Sequence, residues 1–106
     1  GVQTCALPIY IENTEETRKV LESHEWDVVV NWIAFTPEQV QRDIETFKNK
    51  TKQYVFISSA SCYEKPPTNP IITESTPLKN PHWQYSRDKI ACEDLLVKAF
   101  REDNFR

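Results

Sequence analysis

Two short apolar segments stand out in the pattern of hydrophobic and polar positions along the chain. The first, DVVVNWIAF (residues 27–35), is β-branched and almost continuously apolar, as is typical of a parallel strand buried on both faces. The second, YVFISSAS (residues 54–61), is apolar at first and turns polar toward its C-terminal end. Both segments predict strands of a parallel sheet, with hydroxyl side chains at the end of the second.

Helical signals flank both predicted strands. Asn13 and Glu16 form a capping-box pattern, and the helix that they start should fade near His24. In TPEQVQRDIETF (residues 36–47), threonine, proline and glutamine stand at the positions that begin a helix, and apolar residues at i, i+4 and i+7 form one buried stripe. Residues 83–100 predict another amphipathic helix.

The elements follow the order helix, strand, helix, strand, loop, helix. This alternation indicates an α/β fold with a parallel sheet and right-handed crossovers. The proline-rich segment 62–81 is predicted to be a long ordered loop rather than a linker. Because ligands of such sheets bind beyond the carboxyl ends of the strands, we expect a site near the end of the second strand.

Composition and charge narrow the classes of function. At 106 residues the chain has room for one domain at most, and its net charge of −3 gives no electrostatic footprint for nucleic acid or an anionic membrane. No apolar run approaches the roughly 20 residues that span a bilayer. The three cysteines lack metal-ligand spacing and their odd number makes a poor disulfide framework, so we predict no metal site and a reducing, cytoplasmic setting.

The first nine residues, GVQTCALPI, are expected to be foreign to the domain. Their back-translation resembles a widely used sequencing adaptor, so residues 1–9 are interpreted as an artefact and the domain is placed at residues 10–106. The chain has no methionine, and its one glycine is Gly1, whereas about seven glycines are usual in a domain of this length.

The segment YSRDK places Tyr85 and Lys89 one helical turn apart, on the same face of the predicted helix. An ammonium group beside a phenol favours the phenolate, which makes Tyr85 a candidate general base. Ser59 lies at the polar end of the second predicted strand, where its hydroxyl could bind a substrate oxygen or satisfy the local backbone. Together the three residues could take a proton from an alcohol while the carbon gives up a hydride to a nicotinamide.

YVFISSASCY, the proline-rich loop and YSRDKIACEDLL, in that order, resemble the extended short-chain dehydrogenase/reductase family, often called the NAD-dependent epimerase/dehydratase family. The resemblance spans about residues 27–100 and implies a Rossmann-like, doubly wound parallel sheet. It implies that Ser59 is the catalytic serine and that Tyr85 transfers the proton. Lys89 would hold the ribose hydroxyls of NAD or NADP and favour the phenolate, so Tyr85 and Lys89 also belong to the implied cofactor site. The same site would be lined, mostly through backbone, by Asn31, Trp32, Ile33 and Ala34.

The sequence also departs from this family. The Gly-rich turn of the first strand-helix unit has no counterpart, and REDNFR (residues 101–106) stands where the family continues toward its substrate-binding region. An asparagine that is common in the central helix of the family is not evident in residues 37–47. We therefore expect a partial Rossmann-like sheet that lacks both parts and is inactive by itself.

Three hypotheses about function remain open at this point. The parent protein would be a nicotinamide-dependent epimerase, dehydratase or reductase acting on a hydroxylated substrate such as a nucleotide sugar. The alternatives are a non-catalytic, RNA-associated member of the same fold and an inactive assembly fragment. We expect a small-molecule substrate and no membrane or nucleic-acid partner, and a homodimer could form through helices 37–49 and 83–100.

Overall fold

The computed structural model describes residues 13–106, so the predictions for residues 1–9 lie outside the described residues. Within that range, helices and strands alternate as predicted. In chain order the elements are α1 (Thr14–Glu22), β1 (Trp26–Asn31), α2 (Pro37–Phe47), β2 (Thr51–Phe56), a 3₁₀ turn (Ala60–Cys62) and α3 (Gln84–Asp103).

The two strands pair in parallel, with Val28 opposite Gln53 and Asn31 opposite Phe56. A parallel pair needs a crossover connection, and α2 provides it between β1 and β2. Both strands therefore end at the same edge of the sheet, which places the segments that follow them side by side. The arrangement is an α/β fold of the partial Rossmann-like kind.

The first strand is shorter than predicted because the side chain of Asn31 ends it. Its Oδ1 accepts the backbone N–H groups of Ile33 and Ala34, both at 2.8 Å, and these donors are thereby bonded locally in a turn. The prediction of a strand over residues 27–35 was wrong after Asn31. The second strand begins three residues earlier than predicted and ends at Phe56, while α3 continues to Asp103.

The apolar core lies on one face of the sheet. Val29 of β1 and both Tyr54 and Phe56 of β2 pack against it, together with apolar residues from all three helices and the loops. Val28 and Val30 point away from it and are 48% and 44% exposed. Burial of β1 on both faces, which the apolar run predicted, was therefore wrong for the described part of the chain. The buried cluster consists of Leu21, Ala34, Val40, Ile44, Phe47, Cys92, Ala99 and Phe105.

Asparagine takes the left-handed backbone positions that glycine commonly occupies after helices. Asn49 follows α2 with φ of 62°, and Asn104 follows α3 with φ of 54°. Asn104 donates its N–H to Phe100 O at 3.1 Å, and Phe105 donates to Ala99 O at 3.3 Å, which satisfies carbonyls at the end of α3. Asparagine tolerates this conformation better than most residues, so the helices end without a glycine.

The loop between the 3₁₀ turn and α3 is ordered, as predicted. Tyr63 and Leu78 form an antiparallel bridge, and Glu64 N–H donates to Pro77 O at 2.9 Å. The loop folds around an open cavity of about 300 Å³. Helices α2 and α3 pack against each other within the chain, and the predicted homodimer through them stays a prediction. Among residues 13–106, no helix combines the length and apolar character needed to cross a bilayer.

Candidate active site

Lys89 of α3 joins the ends of the two strands. Its Nζ donates to Ala34 O at 2.7 Å, in the turn after β1, and to Ile57 O at 2.8 Å, directly after β2. The side chain is 1% exposed, so both bonds are sheltered from water. The residue that the sequence singled out on a helix face therefore lies at the carboxyl edge of the sheet.

Aromatic rings surround the ammonium group of Lys89. Its Nζ is 4.4 Å from the ring centroid of Phe56, 4.9 Å from that of Phe35 and 5.9 Å from that of Tyr85. Ring faces attract a cation, and this attraction is stronger in a place that water does not reach. Burial nevertheless disfavours the charged form and lowers the pKa of Lys89 below its ordinary value.

Tyr85 lies one helical turn before Lys89, as predicted, and its side chain is half-buried. Its ring packs against Trp83 with centroids 4.9 Å apart and against Phe35 at 6.2 Å. Trp83 was given no role from the sequence, yet together with Phe35 it confines the Tyr85 ring. The phenol is thus held by packing beside the buried cation.

Ser59 begins the 3₁₀ turn that follows β2. Its Oγ accepts the backbone N–H of Ser61 at 3.2 Å and lies 2.8 Å from Ser61 Oγ. Ser61 Oγ in turn accepts from Ser86, the residue next to Tyr85 on α3, at 2.9 Å. Two hydrogen bonds therefore connect the hydroxyl of Ser59 with the helical turn that carries Tyr85.

The turn of residues 31–34, which was predicted to line the cofactor, has two buried and two exposed side chains. Asn31 is buried and its side chain is used within the protein, while Ala34 is buried and its carbonyl accepts from Lys89. Trp32 and Ile33 carry the exposed side chains of the turn. Only these two side chains are free to contact a ligand at the surface of the turn.

A buried carboxylate, Asp43, supports this turn and was missed in the sequence. Its Oδ2 accepts from Asn31 Nδ2 and, at 2.6 Å, from the hydroxyl of Tyr54. Burial and the bond to Asp43 raise the pKa of Tyr54 well above its ordinary value. A carboxylate inside the predicted apolar face of α2 was the available signal, since a buried acid needs partners.

Two further side chains near the site are better explained as structural. Ser58 donates its hydroxyl to Glu93 of α3, away from Ser59. Burial raises the pKa of the Cys92 thiol to about 11, which keeps it protonated near neutral pH. Neither residue therefore has the properties of a nucleophile.

The comparisons with known proteins fit this geometry. The sequence matches the model of the NAD-dependent epimerase/dehydratase family over residues 7–106. The chain belongs to that family. A search of the curated proteins and a search of the solved structures found no match. Membership of the NAD-dependent epimerase/dehydratase family supports a nucleotide-dependent activity of this general type.

A nicotinamide cofactor is implied for the NAD-dependent epimerase/dehydratase family, and the residues of this chain that would hold its ribose stay a prediction. An ammonium group has three donors, and Lys89 uses two of them on Ala34 O and Ile57 O, which leaves one for a ribose hydroxyl. Residues 13–106 contain no glycine, so this range has no Gly-rich turn that could bind the pyrophosphate of the cofactor.

Proposed function

We propose that this chain carries the proton-transfer part of a nicotinamide-dependent epimerase, dehydratase or reductase that acts on a hydroxylated substrate such as a nucleotide sugar. The observation that carries the proposal is the position of Lys89, buried between the two strand ends and 5.9 Å from the ring of Tyr85. A cation held at this place attracts the negative charge that develops on the Tyr85 side chain during proton transfer. The position of Lys89 also places Tyr85 and Lys89 at the edge of the sheet where ligands of open α/β sheets bind.

Each residue has a separate part in this proposal. Tyr85 takes the proton of a substrate hydroxyl, and Ser59 hydrogen-bonds the same oxygen. Lys89 holds the ribose of NAD or NADP through its remaining donor. The nicotinamide, when bound, supplies the hydride chemistry.

The test is a Tyr85→Phe variant of the protein. Turnover of a panel of nucleotide sugars with NAD⁺ and NADP⁺ is followed by mass spectrometry and by the absorbance of the reduced nicotinamide. Loss of the phenol should lower turnover by about 10²–10⁴-fold, the usual contribution of a general base, with coenzyme affinity little changed. Tyr63→Phe, in the loop after β2, is the matched control and should keep its turnover. Activity that survives in Tyr85→Phe contradicts the proposal.

The RNA-associated alternative makes a different prediction for the same variants. RNA affinity that persists in Tyr85→Phe, in a protein without nicotinamide turnover, would favour a binding role over catalysis.

We also infer a reducing, cytoplasmic setting, in which the buried thiols Cys62 and Cys92 stay free as they are in the structure.

The 106-residue chain itself should bind NAD only weakly. It has no glycine after Gly1, so the backbone turn that approaches the pyrophosphate is absent from this sequence. Isothermal titration of the purified chain with NAD⁺ measures this directly. Saturable binding at micromolar concentrations would contradict the expectation.

We further propose that two copies pair through α2 and α3. Val97 and Phe100 are exposed apolar residues on α3, although the helix is already packed against α2 in its own chain. Sedimentation of the wild type and of a Phe100→Asp variant tests this pairing. A monomer at all concentrations contradicts it.

A further inference from the structure

The third donor of Lys89 is closed off from solvent. Its Nζ donates to Ala34 O at 2.7 Å and to Ile57 O at 2.8 Å, which uses two of the three donors of an ammonium group. The residue is 1% exposed, so hardly any of its surface is open to water. Groups other than the two carbonyls therefore cover the side of the ammonium group that a ligand would have to reach.

Phenylalanine rings provide this cover. Nζ lies 4.4 Å from the ring centroid of Phe56 and 4.9 Å from that of Phe35, whereas the ring of Tyr85 is 5.9 Å away. Phe56 belongs to β2 and packs against the apolar core. Phe35 follows the turn after β1 and is 46% exposed, so it lies both against the cation and at the surface. Phe35 is therefore the ring that separates the ammonium group of Lys89 from the solvent.

The ring of Phe35 can move while its backbone stays in place. The backbone is fixed, because the N–H of Phe35 donates to Gln39 Oε1 at 2.7 Å. The ring packs against Tyr85 with centroids 6.2 Å apart, and nearly half of the residue is already in water. Since apolar stabilisation scales with the area removed from water, a change to another rotamer costs less for this ring than for a fully buried one.

We propose that Phe35 gates the ribose position of Lys89: its ring covers the third donor, and a ribose hydroxyl reaches that donor only when the ring turns aside. This rests on the proposed function, which gives Lys89 the ribose of NAD or NADP. The hydroxyl then replaces the attraction between cation and ring by a hydrogen bond from a charged donor. Without a ligand, the ring of Phe35 keeps water away from the two carbonyl bonds of Lys89.

Competitive labelling measures access to the amine. The full chain is treated with N-hydroxysuccinimidyl acetate, and acetylation of each lysine is read by mass spectrometry after digestion. Lys98, which is exposed on the same helix, is the internal reference. In the wild type Lys89 should react at least about tenfold more slowly than Lys98, because the ring must first move. Phe35→Ala should raise this ratio at least about tenfold, while Phe35→Tyr, which keeps a ring, should not change it.

Two controls separate the gate from a loosened fold. Ile33→Ala removes an exposed apolar side chain from the same turn and should leave the labelling of Lys89 unchanged. Cys92 is buried one helical turn after Lys89, so its reaction with iodoacetamide reports opening of the site as a whole. The thiol should stay protected in Phe35→Ala. If it reacts, Phe35→Val, which keeps part of the apolar side chain, is measured in its place and judged by the same outcomes.

Three results overturn the gate. They are a wild-type Lys89 that reacts as fast as Lys98, unchanged labelling of Lys89 when the ring of Phe35 is removed, and an equal increase in Ile33→Ala. None of these readouts depends on turnover. The gate can therefore fail while Tyr85→Phe still supports the proposed function, and the proposed function can fail while the gate is established.

Nicotinamide mononucleotide tests the part of the proposal that concerns the ribose. This probe contains a ribose and does not need the Gly-rich turn that binds a pyrophosphate. At millimolar concentration it should lower the labelling of Lys89 in Phe35→Ala without changing that of Lys98. Nicotinamide, which lacks the ribose, should protect neither lysine. Equal protection of Lys89 by both compounds, or protection by neither, overturns the assignment of the covered donor to a ribose.

Discussion

The buried carboxylate of Asp43 holds the end of β1, α2 and β2 together, and the cost of removing it follows from its contacts. Asp43 is 1% exposed, and its Oδ2 accepts from Tyr54 at 2.6 Å and from Asn31 Nδ2. In Asp43→Ala the buried amide of Asn31 and the half-buried hydroxyl of Tyr54 both lose their acceptor. Each orphaned donor costs about 1–3 kcal/mol, so we expect the free energy of unfolding to fall by about 2–6 kcal/mol.

A double-mutant cycle isolates the bond between Asp43 and Tyr54. Tyr54→Phe removes a hydrogen bond to a charged group and should cost about 1.5–3 kcal/mol. Asp43→Ala breaks the same bond, so the double variant should fall short of the summed losses by about 1–3 kcal/mol. Losses that add within about 0.5 kcal/mol would refute the coupling.

Urea unfolding followed by tryptophan fluorescence is the assay, since Trp26 and Trp32 lie on or next to β1. Glu45→Ala is the matched control: this carboxylate is exposed on the same helix and accepts only from Gln41 in the described structure, at 2.8 Å. Its loss should change stability by less than about 0.5 kcal/mol. The free energy of unfolding of a domain is only about 5–15 kcal/mol, so Asp43→Ala could unfold the protein. In that case Asp43→Asn, which keeps an acceptor oxygen, is measured instead. An Asp43→Ala variant as stable as the control refutes the reasoning.

The further predictions concern three single side chains. The stability advantage of the wild type over Tyr54→Phe should shrink as the pH rises above 10. The phenol of Tyr54 ionises at its ordinary pKa of 10.0 in the unfolded chain, whereas its pKa is raised in the folded protein. Urea midpoints at mildly and at strongly alkaline pH measure this difference. Lys89→Met should lower the free energy of unfolding by about 2 kcal/mol, since two carbonyls lose their donor. Because burial lowers the pKa of Lys89, the free energy of unfolding of the wild type should rise relative to that of Lys89→Met as the pH rises toward 10.5. Gln39→Ala should cost about 1 kcal/mol in thermal unfolding, because Gln39 Oε1 accepts the N–H groups of Phe35 and Thr36 before α2, and an equal loss in Gln41→Ala would contradict this.

Features that depend on near neighbours were predictable from the sequence. Asn13 Oδ1 accepts the N–H of Glu16 at 3.3 Å, and α2 begins at Pro37 as its capping pattern predicted. Such bonds join residues only a few positions apart, so the pattern of residue types contains the whole interaction. The strand ends were not predictable in this way. Asn31 ends β1 in a conformation that Asp43, twelve residues later, helps to hold. The residue type at position 31 does not by itself reveal that partner.

The same distinction decides how variants of Lys89 should be interpreted. The motif YSRDK placed Lys89 beside Tyr85, but its two carbonyl partners lie 55 and 32 residues earlier in the chain and are found only in the fold. A Lys89 variant therefore removes a cation from the site and also releases the backbone at the ends of both strands. Lost turnover in Lys89→Met is consequently no evidence of a cofactor contact by itself. Only a loss that persists at temperatures where the variant is fully folded, with weaker binding of NAD or NADP, assigns that contact to Lys89.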